Sequence, residues 1–107
     1  MKQTLSFSTN WNNKLECDYF TTLRLYNREK FQKGKILSVT GPKNIAFDAE
    51  IVDVKNVSVN TISDWMAYLD TGYSAEETKT ILRTMYKNKF PNATNIELNY
   101  VLLKRIK

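Results

Sequence analysis

Residues 20–25 read FTTLRL, a short run in which polar and apolar side chains alternate. Alternation with a period of two is typical of a β-strand, whose successive side chains point to opposite faces. In such a strand Thr22 and Arg24 lie on one face, and Leu23 and Leu25 lie on the other. We therefore predict that one face joins the core and that the other presents a hydroxyl group and a fixed cation to a ligand.

The composition predicts one globular domain that spans residues 1–107. The chain has 42% hydrophobic and 25% charged residues, with only three Gly and two Pro, which argues against disorder. No apolar run approaches the roughly 20 residues that a membrane-spanning helix needs. The first residues also lack the apolar centre of a signal peptide. We therefore expect a cytoplasmic protein that has no membrane partner.

The residue types present exclude several kinds of catalytic site. The chain has no His and a single Cys, Cys17. This excludes Ser-His-Asp and Cys-His hydrolysis and the usual zinc sites, and no internal disulfide can form. A lone thiol is more often a small buried apolar group than a nucleophile, so we expect Cys17 to be buried. We expect neither a metal nor a cofactor, and any catalysis must use carboxylates, Lys, Tyr, Thr or Ser.

Positive charge is concentrated in two segments of this chain, whose net charge is +5. Residues 24–35 hold five basic residues against one acid, and residues 78–96 hold four basic residues and no acid. Clustered cations favour a polyanionic partner, because contacts to phosphates release counterions. A solvated basic surface that keeps the protein soluble is the alternative. If the partner is RNA or a nucleotide, the candidate contacts in these segments are Lys33, Lys35 and the helical line Lys79, Arg83 and Lys87.

The first half of the chain predicts short strands joined by tight connections. β-rich or alternating segments lie at residues 3–8, 36–40 and 45–59, and residues 14–24 hold a further ordered stretch that ends in the Thr-Thr-Leu-Arg run. Residues 8–13 read as a loop, in which Trp11 either anchors the loop on the core or forms an exposed stacking platform. Gly34 and residues 41–44 predict turns, and Asn56 predicts a bend or bulge in the longest strand.

The period then changes to that of helices. The spacing of a capping box occurs twice, at Thr61–Asp64 and at Ser74–Glu77, and predicts the starts of two helices. Gly72 suits the end of the first helix. The second helix should run to about Asn88. The predicted buried faces are Ile62, Trp65, Met66 and Leu69 in the first helix and Ile81, Leu82, Met85 and Tyr86 in the second, with Trp65 and Tyr86 in the core.

Residues 96–106 return to alternation and predict a central last strand. Short strands, two helices and one returning strand predict an α+β fold. Its architecture is a small, partly closed β-barrel with a two-helix insertion before the last strand.

Three segments of the chain resemble the ASCH family of the PUA-like superfamily, small β-barrels associated with RNA. Residues 22–24 (TLR) are similar to the family's Thr-(Ile/Leu)-Arg strand. Residues 31–39 (FQKGKILSV) resemble its step from an aromatic residue through a Gly turn into an apolar strand, and residues 49–54 (AEIVDV) resemble its next strand. The resemblance covers residues 5–106. It implies a PUA-like barrel and an RNA- or nucleotide-sized ligand in a cleft between barrel and helices.

The same resemblance implies two possible reactions. Some ASCH proteins are amidohydrolases acting on acetylated cytidine, and others are linked to RNA cleavage. The amidohydrolases place a nucleophilic Lys two or three residues before the Thr, and a Glu near the junction of the helices. Thr22 and Arg24 match the family's Thr and Arg, residues 18–20 supply no Lys, and Asp70 is the acid nearest to the place of the Glu.

Our leading hypothesis from the sequence is an RNA- or nucleotide-binding module. In this hypothesis Thr21, Thr22 and Arg24 contact the ligand. Tyr73 stacks on a base, and Asp70 accepts a hydrogen bond from the edge of that base. For Arg24 the alternative is a structural ion pair with Asp53, with Asp70 or with the end of the first helix.

Two other classes of function remain open. A hydrolase on modified nucleosides, or a ribonuclease, would use Thr22 and Asp70 together with Lys14 or Tyr19. A protein-interaction adaptor would bind no nucleic acid. The binding and the hydrolase hypotheses require the strand that holds Thr22 to share one cavity with the junction of the helices.

Overall fold

A computed structural model describes residues 3–86 and 96–106. Five strands form one curled sheet that makes half of a barrel, and two helices pack beside it. The strands are β1 (Thr4–Ser6), β2 (Tyr19–Leu25), β3 (Ile36–Gly41), β4 (Ile45–Ser58) and β5 (Glu97–Arg105), and the helices are α1 (Asp64–Thr71) and α2 (Ala75–Tyr86). The α+β class and the two helices before the last strand are confirmed. No helix in residues 3–86 or 96–106 is long and apolar enough to cross a membrane.

The sheet has the strand order β1-β3-β4-β5-β2. Only the pairing of β1 with β3 is parallel, and the other three pairings are antiparallel. β5 lies between β4 and β2, as predicted for a central last strand, while β1 and β2 form the two edges. β2, the strand that holds Thr22 and Arg24, is therefore an edge strand, and its neighbour in the described sheet is β5.

β4 pairs with β3 through its first half and with β5 along most of its length. The register of β4 and β5 shifts between Ile51 and Asp53, so Val52 is an extra residue in the ladder. A bulge of this kind bends a strand and increases its twist, which allows a single long strand to curl around the core. The predicted bulge at Asn56 is wrong, because Asn56 pairs in register with Asn99 and accepts a hydrogen bond from its side chain.

The turn between β3 and β4 follows the prediction for residues 41–44. Lys43 and Asn44 both have positive φ, at 57° and 63°. Two central residues in this conformation are typical of a type I′ turn, whose twist matches that of the flanking antiparallel strands. This short connection sets the register in which Gly41 faces Ile45.

The first helix begins two residues later than the predicted capping box allows. Thr61 instead ends a 3-10 helix (Val59–Thr61) and bonds back to Ser58. Ser63 caps α1 by accepting from the amide of Met66 at 3.3 Å. Gly72 ends α1 at φ 81°, the left-handed conformation that glycine adopts at least cost. The predicted end of the second helix near Asn88 lies outside the described residues.

Two hydrophobic clusters form the core. One lies inside the half-barrel and contains Leu5, Leu37, Val39, Ile51 and Leu103 among others. The other lies between the sheet and the helices, with Leu23, Ile62, Ala67, Leu82 and Leu98. Leu23 and Leu25 both pack in the second cluster, whereas Arg24 stacks on Phe7 of the first. The two faces predicted for residues 20–25 are therefore confirmed.

Of the buried face predicted for the first helix, Ile62 is buried and Met66 packs against the second cluster, but the predictions for Trp65 and Leu69 are wrong. Trp65 and Leu69 are 81% and 60% exposed, and the residues that α1 buries are Ala67 and Asp70. The small side chain of Ala67 permits a close approach to the core, and Asp70 turns inward to meet a buried lysine. In α2 Leu82 is buried, Ile81 and Tyr86 are half-buried, and Met85 is exposed. Cys17 is exposed, which also contradicts the prediction.

Candidate functional site

A pocket of about 100 Å³ lies where β2, the end of α1, α2 and the segment after β1 meet. In this measure one water needs roughly 10–15 Å³, so the pocket has room for a group of several heavy atoms. Its polar lining consists of Ser6, Ser8, Thr9, Lys14, Thr22, Arg24, Asp70, Thr71 and Thr78. Its apolar lining includes Phe7, Trp11, Ile81, Leu82 and Met85. The pocket thus has apolar walls with a polar cluster on one side.

A buried ion pair forms the floor of this polar cluster. Lys14 lies in a 3-10 helix (Trp11–Glu16) that occupies much of the predicted loop. Lys14 Nζ donates to Asp70 Oδ1 at 2.9 Å, and the two side chains are only 5% and 6% exposed. Lys14 also lies over the ring of Phe7, with 5.2 Å between Nζ and the ring centroid. Burial of two opposite charges is tolerated because each has the other as a partner.

Burial moves both titratable groups of this ion pair towards their uncharged forms. It lowers the pKa of Lys14 below its usual value of 10.5, an effect that Asp70 opposes and that the nearby charge of Arg24 increases. Burial also raises the pKa of Asp70 above 3.8, while Lys14 and a hydrogen bond from Thr21 oppose that rise. A lysine with a lowered pKa holds its amine in the neutral, nucleophilic form more readily than an exposed one.

The two threonines of β2 have different roles in the pocket. Thr21 Oγ1 donates to Asp70 Oδ1 at 3.1 Å, so Thr21 supports the carboxylate from the helix-facing side of the strand. Thr22 is buried, lines the pocket, and its hydroxyl accepts from Arg24 Nε at 2.9 Å. Both bonds of Asp70 to described side chains end on Oδ1, which leaves Oδ2 for a ligand.

Arg24 lines the pocket without an ion pair to any described residue. The predicted alternative, a pair with Asp53 or Asp70, is therefore absent from the part of the chain that the structure describes. Its guanidinium bonds to the hydroxyl of Thr22 and to the carbonyl of Ser6, and it stacks on Phe7 with 4.5 Å between the central carbon and the ring centroid. The bond to Ser6 joins the two edge strands β1 and β2.

The junction of the helices contributes to the pocket through Asp70 and Thr71. The hydroxyl of Thr71 lies 2.9 Å from that of Thr78, which ties α1 to α2. Tyr73 is partly exposed and packs edge-on against Trp11, with 5.9 Å between ring centroids. Trp11 is half-buried and lines the pocket, so of its two predicted roles the structure is consistent with an anchor. Tyr73 itself does not line the pocket.

The structure separates the other candidates from this pocket. Tyr19 is exposed and borders a different depression with Lys104, and Lys33 is exposed on its turn. On α2, Lys79 lies 3.8 Å from Glu76, and Arg83 donates to Asn60 at 2.7 Å. Lys87 lies outside the described residues. Over the described length of α2 the cationic line is therefore exposed at Arg83, whereas the side chain of Lys79 is only 17% exposed.

Lys30 is a further residue near the pocket that the sequence analysis did not select. Its ammonium donates to the carbonyl of Thr4 at 2.8 Å, on the same strand as the Ser6 carbonyl that Arg24 contacts. Lys35 lies beside it and donates to Gln3 Oε1 at 2.6 Å and to the carbonyl of Glu29 at 2.9 Å. The only signal in the sequence was the density of basic residues between positions 24 and 35. Within the described ranges, no group of three or more Cys, Asp or Glu side chains is placed to hold a metal ion.

Comparison with known proteins identifies one relevant fold. No model of a protein family matches the chain, and no curated protein matches it. Among solved structures, the chain is similar to the crystal structure of protein EF3133 from Enterococcus faecalis V583, which carries the family designation DUF984. The TM-score is 0.67 at 10% sequence identity, and the match covers 99% of this chain and 82% of the other. At this identity the two proteins share a fold: a curled five-stranded half-barrel with two helices.

Proposed function

We propose that this chain is a PUA-like, ASCH-type module that binds RNA or a nucleotide in the pocket between the sheet and the helices. The observation that supports this proposal most directly is the lining of a single pocket by residues that are distant in sequence. Thr22 and Arg24 come from β2, whereas Asp70 and Thr71 come from the end of α1. This is the spatial meeting that the sequence hypothesis required.

The chemistry of the pocket suits the base of a nucleotide. A base has two apolar faces and a polar edge, and proteins recognise unpaired bases by stacking and by hydrogen bonds to that edge. Phe7, Ile81 and Leu82 supply apolar walls. Oδ2 of Asp70, to which no described side chain donates, and the hydroxyl of Thr22 supply an acceptor and a donor at one side of the pocket.

A single isosteric substitution tests this proposal. Thr22→Val removes the hydroxyl from the pocket while conserving the shape of the side chain. We expect it to weaken binding of the nucleotide or RNA by about 1 kcal/mol, or roughly fivefold, the value of one neutral hydrogen bond. Titration of the four ribonucleoside 5′-monophosphates and of a mixed single-stranded RNA, followed by Trp11 fluorescence in a Trp65→Phe background, measures the loss.

The matched control is Thr80→Val, which changes an exposed threonine on α2 whose hydroxyl bonds only to the carbonyl of Glu76. It should leave binding unchanged. A folded Thr22→Val protein that binds every probe as tightly as the parent would contradict the proposed site, and failure of the parent to bind any of the probes would contradict the function.

A hydrolase on modified nucleosides is the second candidate, and the buried position of Lys14 in the pocket, where burial lowers the pKa of its amine, is the observation that favours it. In its deprotonated form Lys14 can take a proton from water as the water oxygen attacks the acyl carbon of an acetylated cytidine. The C–N bond then breaks, and the proton passes from Lys14 to the departing amine, which yields acetic acid and cytidine. Asp70 holds the Lys14 amine in place at 2.9 Å.

Release of cytidine from acetylcytidine, followed by chromatography, tests this second candidate. Lys14→Met should abolish the reaction, whereas Lys33→Met, which removes the same charge from an exposed turn, should retain it. Cleavage of a labelled RNA by the same three proteins tests the ribonuclease alternative. Equal turnover by Lys14→Met and the parent would exclude Lys14 as the catalytic residue.

A further inference from the structure

The open edge of β1 is occupied by two cationic side chains. β1 pairs with β3 through the main-chain groups of alternate residues, so the carbonyls of Thr4 and Ser6 point away from the sheet. Lys30 Nζ donates to the carbonyl of Thr4 at 2.8 Å, and Arg24 Nη2 donates to the carbonyl of Ser6 at 2.7 Å. Positions two apart in a strand are separated by about 6.6 Å, so the two cations lie side by side along this edge.

Lys35 completes a group of three positive charges, which we call the rim cluster: Arg24, Lys30 and Lys35. Lys35 is held by Gln3 and by the carbonyl of Glu29. Burial and then the charges of Arg24 and Lys35 lower the pKa of Lys30. Arg24 and Lys35 are therefore both close enough to Lys30 for their charges to repel its ammonium group.

No described carboxylate forms an ion pair with the rim cluster, although Asp70 attracts Arg24 at longer range. The ion pairs in residues 3–86 and 96–106 are Lys14 with Asp70 and Lys79 with Glu76. The acceptors that hold the cluster are uncharged carbonyl and amide oxygens. Donors also remain free, since the bonds to described residues use two of five N–H groups of Arg24 and one of three of Lys30.

We infer that the rim cluster is a binding site for a phosphate group of the ligand, with Arg24 linking it to the pocket. Arg24 and Ser6 line the pocket, while Lys30 lies two residues along the same edge. A planar guanidinium beside ammonium groups suits a phosphate, which offers several acceptor oxygens and up to two negative charges. This inference rests on the proposed function, because the pocket beside the cluster would hold the base of the same nucleotide.

The phosphate can come from a 5′-monophosphate or from the backbone of RNA, and the two sources predict different results. For a mononucleotide, each monophosphate that binds should do so at least about tenfold more tightly than its nucleoside, equivalent to about 1.4 kcal/mol. For RNA, binding should depend steeply on salt, and Lys30→Ala should reduce the slope of log K against log salt by about 0.7.

The decisive experiment compares Lys30→Ala with Lys33→Ala by isothermal titration with the four nucleosides, their 5′-monophosphates, inorganic phosphate and a mixed single-stranded RNA. Lys33 has the same charge, is exposed, and donates no bond to a described residue. We expect Lys30→Ala to lower the affinity for the probes that carry phosphate at least fivefold, while the affinity for nucleosides changes less than twofold. Lys33→Ala should change neither.

The possible outcomes separate this inference from the function on which it rests. One outcome is that Lys30→Ala loses phosphate affinity, while the parent binds no nucleoside and binds the four monophosphates equally. This outcome supports the phosphate site and counts against the base pocket. Binding of nucleosides and nucleotides with equal affinity, or equal binding by Lys30→Ala and Lys33→Ala, overturns the phosphate site and leaves the base pocket standing. Binding of none of the probes overturns both.

Discussion

The buried ion pair of Lys14 and Asp70 lines the same pocket as Arg24 of the rim cluster. The ion pair and the rim cluster (Arg24, Lys30 and Lys35) hold their charges in different ways. The ion pair is buried, and each charge has the opposite charge as its partner. The rim cluster is partly exposed, carries three like charges, and is held only by neutral oxygens. The first arrangement can store or transfer a proton within the protein, whereas the second is completed by an anion from outside.

The largest effect expected from this contrast is the loss of one partner of the buried pair. Lys14→Met leaves Asp70 buried without its cation, which should lower the free energy of unfolding by about 3–5 kcal/mol. Lys79→Met removes one partner of a pair in which Glu76 is 88% exposed and therefore stays hydrated when its partner is lost, and the change should cost less than about 1 kcal/mol. Urea denaturation at neutral pH measures both.

The double variant Lys14→Met/Asp70→Leu supplies the internal check on that prediction. Because it leaves no unpaired charge, it should recover most of the stability that Lys14→Met loses. If Lys14→Met costs no more than Lys79→Met, the pair does not have the buried character described above.

The pH dependence of stability distinguishes the buried pair from an ordinary surface salt bridge. The folded-state pKa of Asp70 is raised above 3.8 by burial. Above pH 3.8 the folded chain therefore retains a proton that the unfolded chain has released. The contribution of Asp70 to the free energy of unfolding should then fall as pH rises from 3.8 to the folded-state pKa.

Measurement of unfolding by urea between about pH 3 and 7, in the parent and in Asp70→Asn, isolates this contribution, since the variant lacks the titrating group. The stability of the parent relative to the variant should decrease over that interval. An increase over the interval would mean that Lys14 lowers the pKa of Asp70 more than burial raises it.

A smaller effect is expected for the rim cluster. Raising the salt from about 0.1 M to about 1 M shortens the Debye length from about 10 Å to about 3 Å, so salt should relieve the repulsion among its three cations. The gain in the free energy of unfolding should be larger for the parent than for Lys30→Ala, by about 0.5 kcal/mol or less. Thermal unfolding at both salt concentrations measures it, and equal gains would show that the three cations do not repel one another appreciably.

The smallest effect is expected on the outer face of α1, the same helix that supplies Asp70. Trp65→Ser changes a side chain that is 81% exposed and should alter stability by no more than about 0.5 kcal/mol. Ile62→Ala, which opens a cavity in the core just before the helix, should cost about 2–5 kcal/mol. Denaturation of the two variants compares them, and a large loss for Trp65→Ser would mean that its face is covered.

Local patterns predicted the parts of the fold that depend on near neighbours in the chain. The two faces of residues 20–25, the turn at residues 41–44 and the end of α1 at Gly72 all follow from alternation or from backbone conformations that a few residue types adopt. The bulge predicted at Asn56 lies instead at Val52, where the register of β4 and β5 shifts.

The errors arose where packing at long range overrode a local pattern. Trp65 and Leu69 have helical spacing and apolar character, but α1 turns Ala67 and Asp70 inward. Asp70 and its partner Lys14 are 56 residues apart, and a spacing of that length carries no periodic signal. Of the two candidates Lys14 and Tyr19, only the folded chain shows that Lys14 lines the pocket and that Tyr19 does not.

The order of residues therefore determined the α+β class and the two helices before a central last strand, because hydrogen-bonded elements follow short-range periodicity. It also established the uneven distribution of positive charge. Contacts between distant parts of the chain determined which cations have a carboxylate partner and which can still bind an anion. Lys14 is buried beside its partner, whereas Arg24 and Lys30 lie at the open edge of β1. Electrostatic energies depend on distance and on exposure to water, and both are properties of the folded chain.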